Sequence, residues 1–350
     1  MLGSFSNKAI AAKARAMYGH RVTAADYEEL MKKRTVGDAA AYLRDNTHYR
    51  EVLGQVDAAA IHRGQLENML RSFRYLQYQR LIAYNFGQQQ LYNYLYFREE
   101  IQQLLGLLRY LSGKGQGQAA GKYDFHYDQR LVGHTSYDLE KLVELGNYRE
   151  LLDFFGDTPY GKILHRFPPD QSGQIDLMGC EQAFSTYYYR QLLTIIDREL
   201  RGDARAAMRE VIYRRIGYEN LTQAYRLKRF FHSGEEYIKK SLLPFQTPYE
   251  KLIEQLIHAE STTRLHALLE NAGLAQEGAD HGSDFIENII LRLRAKQSRR
   301  DLRNSGHPPV VLQAYLTQLE IELDDIINII ESVRYGLPVE EMRQMLNSQF

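Results

Sequence analysis

The chain has 350 residues, with 44 basic and 44 acidic side chains and therefore no formal net charge at pH 7. Its length allows two or three domains with hydrophobic cores, and its balanced charge argues against nucleic acid as the main partner. The single cysteine, Cys180, excludes an intrachain disulfide and is typical of a reducing compartment. No apolar stretch is long enough to span a membrane, and residues 1–20 lack the apolar core of a signal peptide. We therefore expect a cytosolic protein, or one that is docked on a membrane protein from the cytosolic side.

The spacing of apolar residues predicts that nearly the whole chain is α-helical. Over residues 94–111 the apolar positions step by three and four rather than by two, so this tyrosine-rich stretch is interpreted as helix although tyrosine favours strands. The eight prolines lie between periodic segments or at predicted helix starts. None lies inside a long helical pattern, where proline would destabilise the helix most.

The longest apolar pattern predicts a helix over residues 312–337. Its apolar positions alternate in steps of four and three, which is typical of a helix that packs along its whole length. Gly336 suits a left-handed helix cap, and Pro338 suits the start of another helix. We expect the acidic residues to lie off this seam on a solvated face, namely Glu320, Glu322, Asp324, Asp325 and Glu331.

Internal likeness divides the chain into three helical repeats, with predicted boundaries at 1–122, 123–243 and 244–350. A glycine-rich segment at 113–121 is interpreted as a flexible linker after the first repeat. Residues 243–248, which contain two prolines, separate the second repeat from the third. A period near 110 residues is too long for the common short helical solenoids, which repeat about every 20–50 residues.

Each repeat opens with a predicted pair of short helices. In the first two repeats the second helix of the pair starts with a capping signal, in which Thr or Asn precedes an acidic residue by three positions. These signals are Thr35 with Asp38 and Asn147 with Glu150. The first two pairs end in similar tripeptides, Thr47–Tyr49 and Thr158–Tyr160, whereas the third repeat has Asn271–Gly273 there.

Two longer helices follow each pair. The first of them carries an acidic residue near its predicted start, at Glu67, Glu181 and Glu287. We expect these carboxylates to lie in the first helical turn and to interact favourably with the helix dipole, rather than to act in catalysis. The second carries an arginine at an aligned position, at Arg109, Arg226 and Arg334. In the second repeat this helix also contains Gly217 and extra arginines, so we expect it to be irregular or partly exposed. Two interpretations of the aligned arginines stay open: they cap helix-end carbonyls, or they line a common surface that contacts a partner.

No motif for catalysis, cofactor binding or metal binding stands out, so we predict none of the three. Residues 115–120 fit a dinucleotide pattern formally, but a helix rather than a strand precedes them, and the P-loop pattern fails at Gln116 and Tyr123. The eleven histidines are scattered without a metal-site spacing. Cys180 has no nucleophile signature and is interpreted as a small buried thiol.

The sharpest charge feature is the basic run at 292–303. One interpretation is a solvated helix face, or a face that pairs with the acidic residues of the 312–337 helix. The other is a contact for an acidic partner or for lipid head groups.

Several segments resemble one known family. The C-terminal INIIESVRYGLPVEEM resembles the closing signature of the C subunits of bacterial and archaeal V/A-type rotary ATPases, which are related to the d subunits of eukaryotic V-type ATPases. The opening RAMYGHRVTAADYEEL and the central DTPYGKIL with EQAFSTYYYRQLL are similar to the same family. The likeness covers nearly the whole chain in the same order, with departures at His20, Val22 and the linker at 113–121.

The resemblance implies an all-α funnel made of three similar domains around a pseudo-threefold axis. It also implies a non-catalytic adaptor on the cytoplasmic face of the membrane, which joins the central stalk to the proteolipid ring and couples ATP hydrolysis or synthesis to H⁺ or Na⁺ transport. Closely packed helices without a membrane span suit such a torque-transmitting part. The alternative is a soluble helical scaffold outside any membrane complex. An all-α enzyme would require a buried cluster of titratable residues with shifted pKa values.

Overall fold

The structure is a computed structural model that describes residues 2–58, 60–87, 89–115, 131–275 and 285–347. Over these ranges the chain forms helices and no β-strand, which confirms the predicted all-α class. Most of the predicted linker at 113–121 lies outside the described residues. The first helices are α1 (Leu2–Tyr18), α2 (Ala24–Met31), α3 (Val36–Asn46), α4 (Arg50–Leu53), α5 (Arg63–Ile82), a 3₁₀ helix (Gln90–Asn93) and α6 (Tyr94–Gly115).

The remaining helices continue the same order of short pairs and long helices. They are α7 (Leu139–Glu144), α8 (Tyr148–Phe155), α9 (Pro159–Leu164), α10 (Leu177–Glu199), α11 (Gly202–Arg229), α12 (Glu235–Ser241), α13 (Glu250–Ile257), α14 (Thr262–Asn271), α15 (Phe285–Asn304), α16 (Pro308–Tyr335) and α17 (Val339–Met345). The predicted short pairs correspond to α2/α3, α7/α8 and α13/α14. The predicted caps are also present, because the side chains of Thr35 and Asn147 accept hydrogen bonds from the backbone N–H groups of Asp38 and Glu150.

The contacts of the chain form two compact units. Unit 1 contains Met1–Gln88 together with His266–Phe350, and unit 2 contains Gln89–Leu265. The predicted threefold repeat is a likeness between segments of the sequence, whereas the two units are groups of residues in contact with one another. The boundaries at 1–122, 123–243 and 244–350 therefore stay a prediction.

Unit 1 is built around α16. Helices α1, α5 and α15 pack along it, and α2, α3 and α17 also contact it. Because neighbours surround it, 20 of its 28 residues are buried. The helix ends as predicted: Gly336 has φ of 67°, and the N–H of Leu337 donates to the Ser332 carbonyl at 3.0 Å, which is the bonding of a left-handed cap.

The acidic residues of α16 do not form the predicted solvated face. Glu322 and Asp325 are buried, and Asp324 is half-buried. Asp325 accepts hydrogen bonds from the backbone N–H of Asn347 at 2.9 Å and from its side-chain amide at 3.3 Å. The prediction was wrong because it treated α16 as a helix with one covered side, whereas donors from several neighbouring segments reach its carboxylates.

Unit 2 is organised by α10 and α11. Helix α11 packs against α10, α12 and α13, and α10 also contacts α6 and α9. The buried side-chain amide of Asn220 forms two hydrogen bonds with the backbone of Leu243, in the segment after α12. Its nitrogen donates to the Leu243 carbonyl at 3.0 Å, and its oxygen accepts the Leu243 N–H at 2.7 Å. A buried amide bonded through both of its ends fixes the path of the segment that follows α12.

Gly217 lies in the middle of α11, which we expected to be irregular or partly exposed at this point. Instead α11 is continuous, and Gly217 is buried. The ring of Tyr249 occupies the space beside it and stacks on Tyr218 with 5.3 Å between ring centroids. A Cβ atom on residue 217 would lie 2.7 Å from Cδ2 of Tyr249, so glycine is what permits this close approach.

We expect Gly217→Ala to lower the free energy of unfolding by about 1–2 kcal/mol, because the Tyr249 ring must move out of a packed site. This outcome opposes the usual gain of about 1 kcal/mol when alanine replaces glycine inside a helix. Urea unfolding followed by far-UV circular dichroism measures the change. Gly64→Ala, in α5 with no neighbour within 4 Å, is the matched control and should be neutral or stabilising. A stabilised Gly217→Ala variant would contradict the packing argument.

Candidate functional site

The three aligned arginines are all exposed. Arg226 and Arg334 lie in the last turns of α11 and α16, whereas Arg109 lies more than one turn before Gly115, where α6 ends. Arg109 and Arg334 both engage glutamates. Their suggested role in partner contact stays a prediction.

Arg109 joins two long helices of unit 2. Its guanidinium forms an ion pair with Glu181, so that α6 is tied to α10. About half of each side chain is exposed, at 50% and 46%. An ion pair with this exposure is worth about 0–1 kcal/mol, so it contributes little to the stability of unit 2.

Arg334 belongs to a chain of alternating charges in unit 1. Its guanidinium lies 3.9 Å from Glu331, which also pairs with Arg63 at 2.5 Å. Arg63 in turn pairs with Glu67 at 3.0 Å, so the chain of charges links α16 to α5. Arg334 also lies 5.6 Å from the ring centroid of Tyr335, which is 70% exposed. An arginine beside an exposed tyrosine is a composition typical of protein interfaces.

Arg226 is followed by a turn that exposes two aromatic rings. Phe230 and Phe231 are both exposed, and the guanidinium of Arg229 lies 5.0 Å from the centroid of the Phe230 ring. His232 has φ of 48°, and the N–H of Ser233 donates to the Leu227 carbonyl at 3.0 Å. The backbone is therefore held in a defined turn although no glycine occupies the left-handed position.

The aligned glutamates differ in their positions. Glu287 lies in the first turn of α15, as expected. Glu67 and Glu181 lie one turn further in, because α5 begins at Arg63 and α10 at Leu177. For these two the first-turn prediction was wrong, and both pair with arginines instead.

The basic run at 292–303 lies on α15, and one of its members pairs with α16. Arg294 lies 2.9 Å from Glu320, whose other oxygen is 3.6 Å from Arg74 of α5. For Arg294 this confirms pairing with the acidic residues of α16. Arg292 instead donates to the Gln344 carbonyl at 3.2 Å.

A buried carboxylate in unit 1 was not predicted from the sequence. Glu322 of α16 accepts the Tyr49 hydroxyl at 2.8 Å and the Val22 N–H at 3.0 Å, and it lies 2.8 Å from Nε2 of His48. Burial, followed by the charge of Glu322, raises the pKa of Tyr49 well above its ordinary value, so the hydroxyl stays a donor.

A second buried carboxylate has similar partners in unit 2. Glu100 of α6 accepts the Tyr160 hydroxyl at 2.7 Å and the Ser136 N–H at 3.2 Å. Tyr49 and Tyr160 end the two similar tripeptides of the first two helix pairs. That likeness was the available signal for these sites, but it did not indicate which carboxylates the tyrosines meet.

The other candidates for chemistry are engaged in packing or surface pairs. Cys180 is buried, as predicted, and burial raises its pKa to about 12. His258 has a neighbour at each ring nitrogen, Glu235 at 2.7 Å and Glu254 at 3.0 Å, and these carboxylates raise its pKa. In the part of the chain that the structure describes, no three His, Cys, Asp or Glu side chains form a metal-type group. The nucleotide-like pattern at 115–120 lies almost entirely outside that part.

Along the described ranges, no helix combines the length and apolar character needed to traverse a bilayer. These ranges define an all-helical protein whose polar clusters join helices to one another. The family model for the ATP synthase (C/AC39) subunit matches residues 10–345, which is nearly the whole chain. The chain therefore belongs to this family of V/A-type rotary ATPase subunits, and the resemblance seen in its sequence is confirmed. No curated protein sequence matches the chain significantly.

Proposed function

We propose that this protein is the non-catalytic adaptor of the central rotor in a V/A-type ATPase. In this role it lies on the cytoplasmic face of the membrane, binds the proteolipid ring on one side and central-stalk subunits on the other, and transmits torque between them. The family match over residues 10–345 is the observation that carries the proposal. The three similar domains and the pseudo-threefold funnel implied by the resemblance belong to the same proposal.

The packing of α16 supports a mechanical role. Transmission of torque requires that displacement at one end of an element reaches the other end without being absorbed by loose packing. Helix α16 has 28 residues, is mostly buried, and is fixed at its sides by the Glu322 and Asp325 hydrogen bonds and by the Arg294 ion pair. These contacts resist both bending and sliding of the helix within unit 1.

Purification of the tagged full-length chain from membranes of its own cells tests the proposal. After mild detergent extraction, we expect the proteolipid ring and central-stalk subunits to co-purify with it. Membranes from cells that lack the protein should hydrolyse ATP without building an ion gradient, since the catalytic head and the ring would no longer be joined. A chain found only in the soluble fraction, with other partners, would contradict the rotor role and favour a cytosolic scaffold.

The exposed end of α16 is a proposed partner contact. We expect the double variant Arg334→Gln/Tyr335→Ser to fold with a stability within about 0.5 kcal/mol of the parent, because both side chains are exposed. Its co-purification with the complex should fall by about tenfold or more if these residues are interface anchors. Arg205→Gln, an exposed arginine of α11 outside the aligned set, is the control. Unchanged assembly of the double variant would remove this surface from the interface.

A further inference from the structure

Unit 1 contains a small cavity that the proposed rotor role does not use. It has a volume of about 230 Å³ and lies between the end of α1, the segment 21–24, α15 and α16. Its lining includes three arginines, Arg21, Arg299 and Arg303, together with Tyr27 and the buried Glu322. We propose that this cavity, the arginine pocket, binds a small organic oxyanion that also carries a hydroxyl or amine group.

The charge of the lining selects an anion. The residues that line the cavity include three arginines and one carboxylate residue, Glu322. Guanidinium groups donate paired N–H bonds that match the geometry of carboxylate and phosphate oxygens. A cavity of this volume is smaller than a typical drug-sized site, so it suits a ligand on the order of ten to fifteen non-hydrogen atoms.

Two of the arginines are positioned by neighbouring groups. The guanidinium of Arg21 lies 4.5 Å from the centroid of the Tyr18 ring, and its Nη1 donates to the Tyr18 carbonyl at 3.3 Å. The Nε of Arg299 donates to the Ala295 carbonyl at 3.3 Å. Side chains that are already oriented lose less conformational entropy when a ligand binds.

Gln318 of α16 forms hydrogen bonds with the other helices that line the cavity. The amide of Gln318 donates to the Ala295 carbonyl at 2.8 Å and to the Ser298 hydroxyl at 2.6 Å, and its oxygen lies 3.4 Å from the Tyr18 hydroxyl. Gln318 therefore connects three walls of the cavity, formed by α1, α15 and α16. The cavity is bounded by helices that are fixed to one another, which favours a preformed site.

Glu322 sets the second requirement on the ligand. Its Oε1 accepts the Tyr49 hydroxyl, and its Oε2 accepts the Val22 N–H at 3.0 Å. A carboxylate oxygen has two acceptor sites, so Oε2 has capacity for a further donor. A ligand with a hydroxyl or amine can meet this acceptor while its anionic groups meet the arginines. A purely anionic ligand would face the carboxylate without a donor.

Isothermal titration with citrate, which carries three carboxylates and one hydroxyl, tests the inference on the full chain. In chloride buffer of matched ionic strength we expect saturable 1:1 binding by the parent protein. Tricarballylate, the same molecule without the hydroxyl, should bind more weakly. Arg299→Gln and Arg303→Gln should each weaken citrate binding by about tenfold or more, since each removes a charged donor.

Arg300→Gln is the matched control, because this exposed arginine lies on the same helix but not in the lining of the cavity. It should bind citrate as the parent does, and far-UV circular dichroism should show that all three variants are folded. The inference is overturned if citrate binds no better than chloride, if the three variants bind equally, or if Arg300→Gln loses as much affinity as the other two.

Discussion

Glu322→Ala is expected to lower the free energy of unfolding by about 3–5 kcal/mol, the largest effect of any single substitution considered in unit 1. The change removes the acceptor for the Tyr49 hydroxyl and the Val22 N–H and the partner of His48, all within a buried site. Buried donors that lose their acceptor keep the full cost of desolvation. A loss of this size is a large part of the stability of a typical domain, which is about 5–15 kcal/mol.

Urea unfolding followed by far-UV circular dichroism measures this loss, since the chain contains no tryptophan for a fluorescence signal. Tyr49→Phe is the graded control and should cost about 1–2 kcal/mol, because Glu322 keeps its other partners. The double variant should cost less than the sum of the two single variants, since both remove the same hydrogen bond. A cost below about 1 kcal/mol for Glu322→Ala would mean that water replaces the carboxylate without penalty.

Asp324→Asn is expected to stabilise the protein at neutral pH. Burial, followed by the charge of Glu320, raises the pKa of Asp324 from 3.8 to about 6, although Arg71 and Arg294 oppose the shift. Between these two values the folded state binds more protons than the unfolded state, so stability falls as pH rises from about 4 to about 6 and stays lower above that. The shift corresponds to a gain of about 1–3 kcal/mol for the uncharged amide near pH 7.5.

The gain should shrink to about one third at pH 4.5, where the carboxyl of the folded parent is mostly protonated. Urea midpoints of parent and variant at the two pH values provide the measurement. Asp153→Asn, which changes an exposed aspartate of α8, serves as the control and should show no comparable gain. If Asp324→Asn loses stability at neutral pH, attraction to Arg71 and Arg294 outweighs the burial of the carboxylate.

Both substitutions act on α16, and they differ in what surrounds each carboxylate. Glu322 has three bonding partners, so its removal leaves donors unsatisfied. Asp324 is largely removed from water and also lies near two like charges, Glu320 and Asp325, so its ionised form is disfavoured. Together the two variants test whether the packing of α16 depends on particular polar contacts. That dependence is expected of a stiff element, which the proposed rotor role requires.

The local features of the chain were predictable from its sequence. The spacing of apolar residues located the short helix pairs and the long helices, because a helix with one face on the core shows the helical period in its own sequence. Thr35, Asn147 and Gly336 marked helix ends, since capping depends on residues a few positions apart. The order of motifs along the chain pointed to the family of rotary ATPase subunits that the family model confirms.

The candidate contacts could be predicted only in part. The aligned arginines were found by likeness between the predicted repeats, and all three are exposed. That Arg109 pairs with Glu181, 72 positions away, depends on how α6 meets α10. Arg334 pairs with Glu331 of its own helix, but Glu331 also pairs with Arg63 of α5, which is further still in sequence, so no local spacing contained that link.

The sequence by itself determined the helices, their caps and the family, because each rests on residues close together in the chain or on their order. Only the tertiary structure decided that Glu322 and Asp325 are buried and that three arginines line one cavity. A helical period shows which residues share a face, but not how many faces are covered. Burial could not be predicted from the period because it depends on every segment that packs against a helix. The segments that pack against α16 come from both ends of the chain.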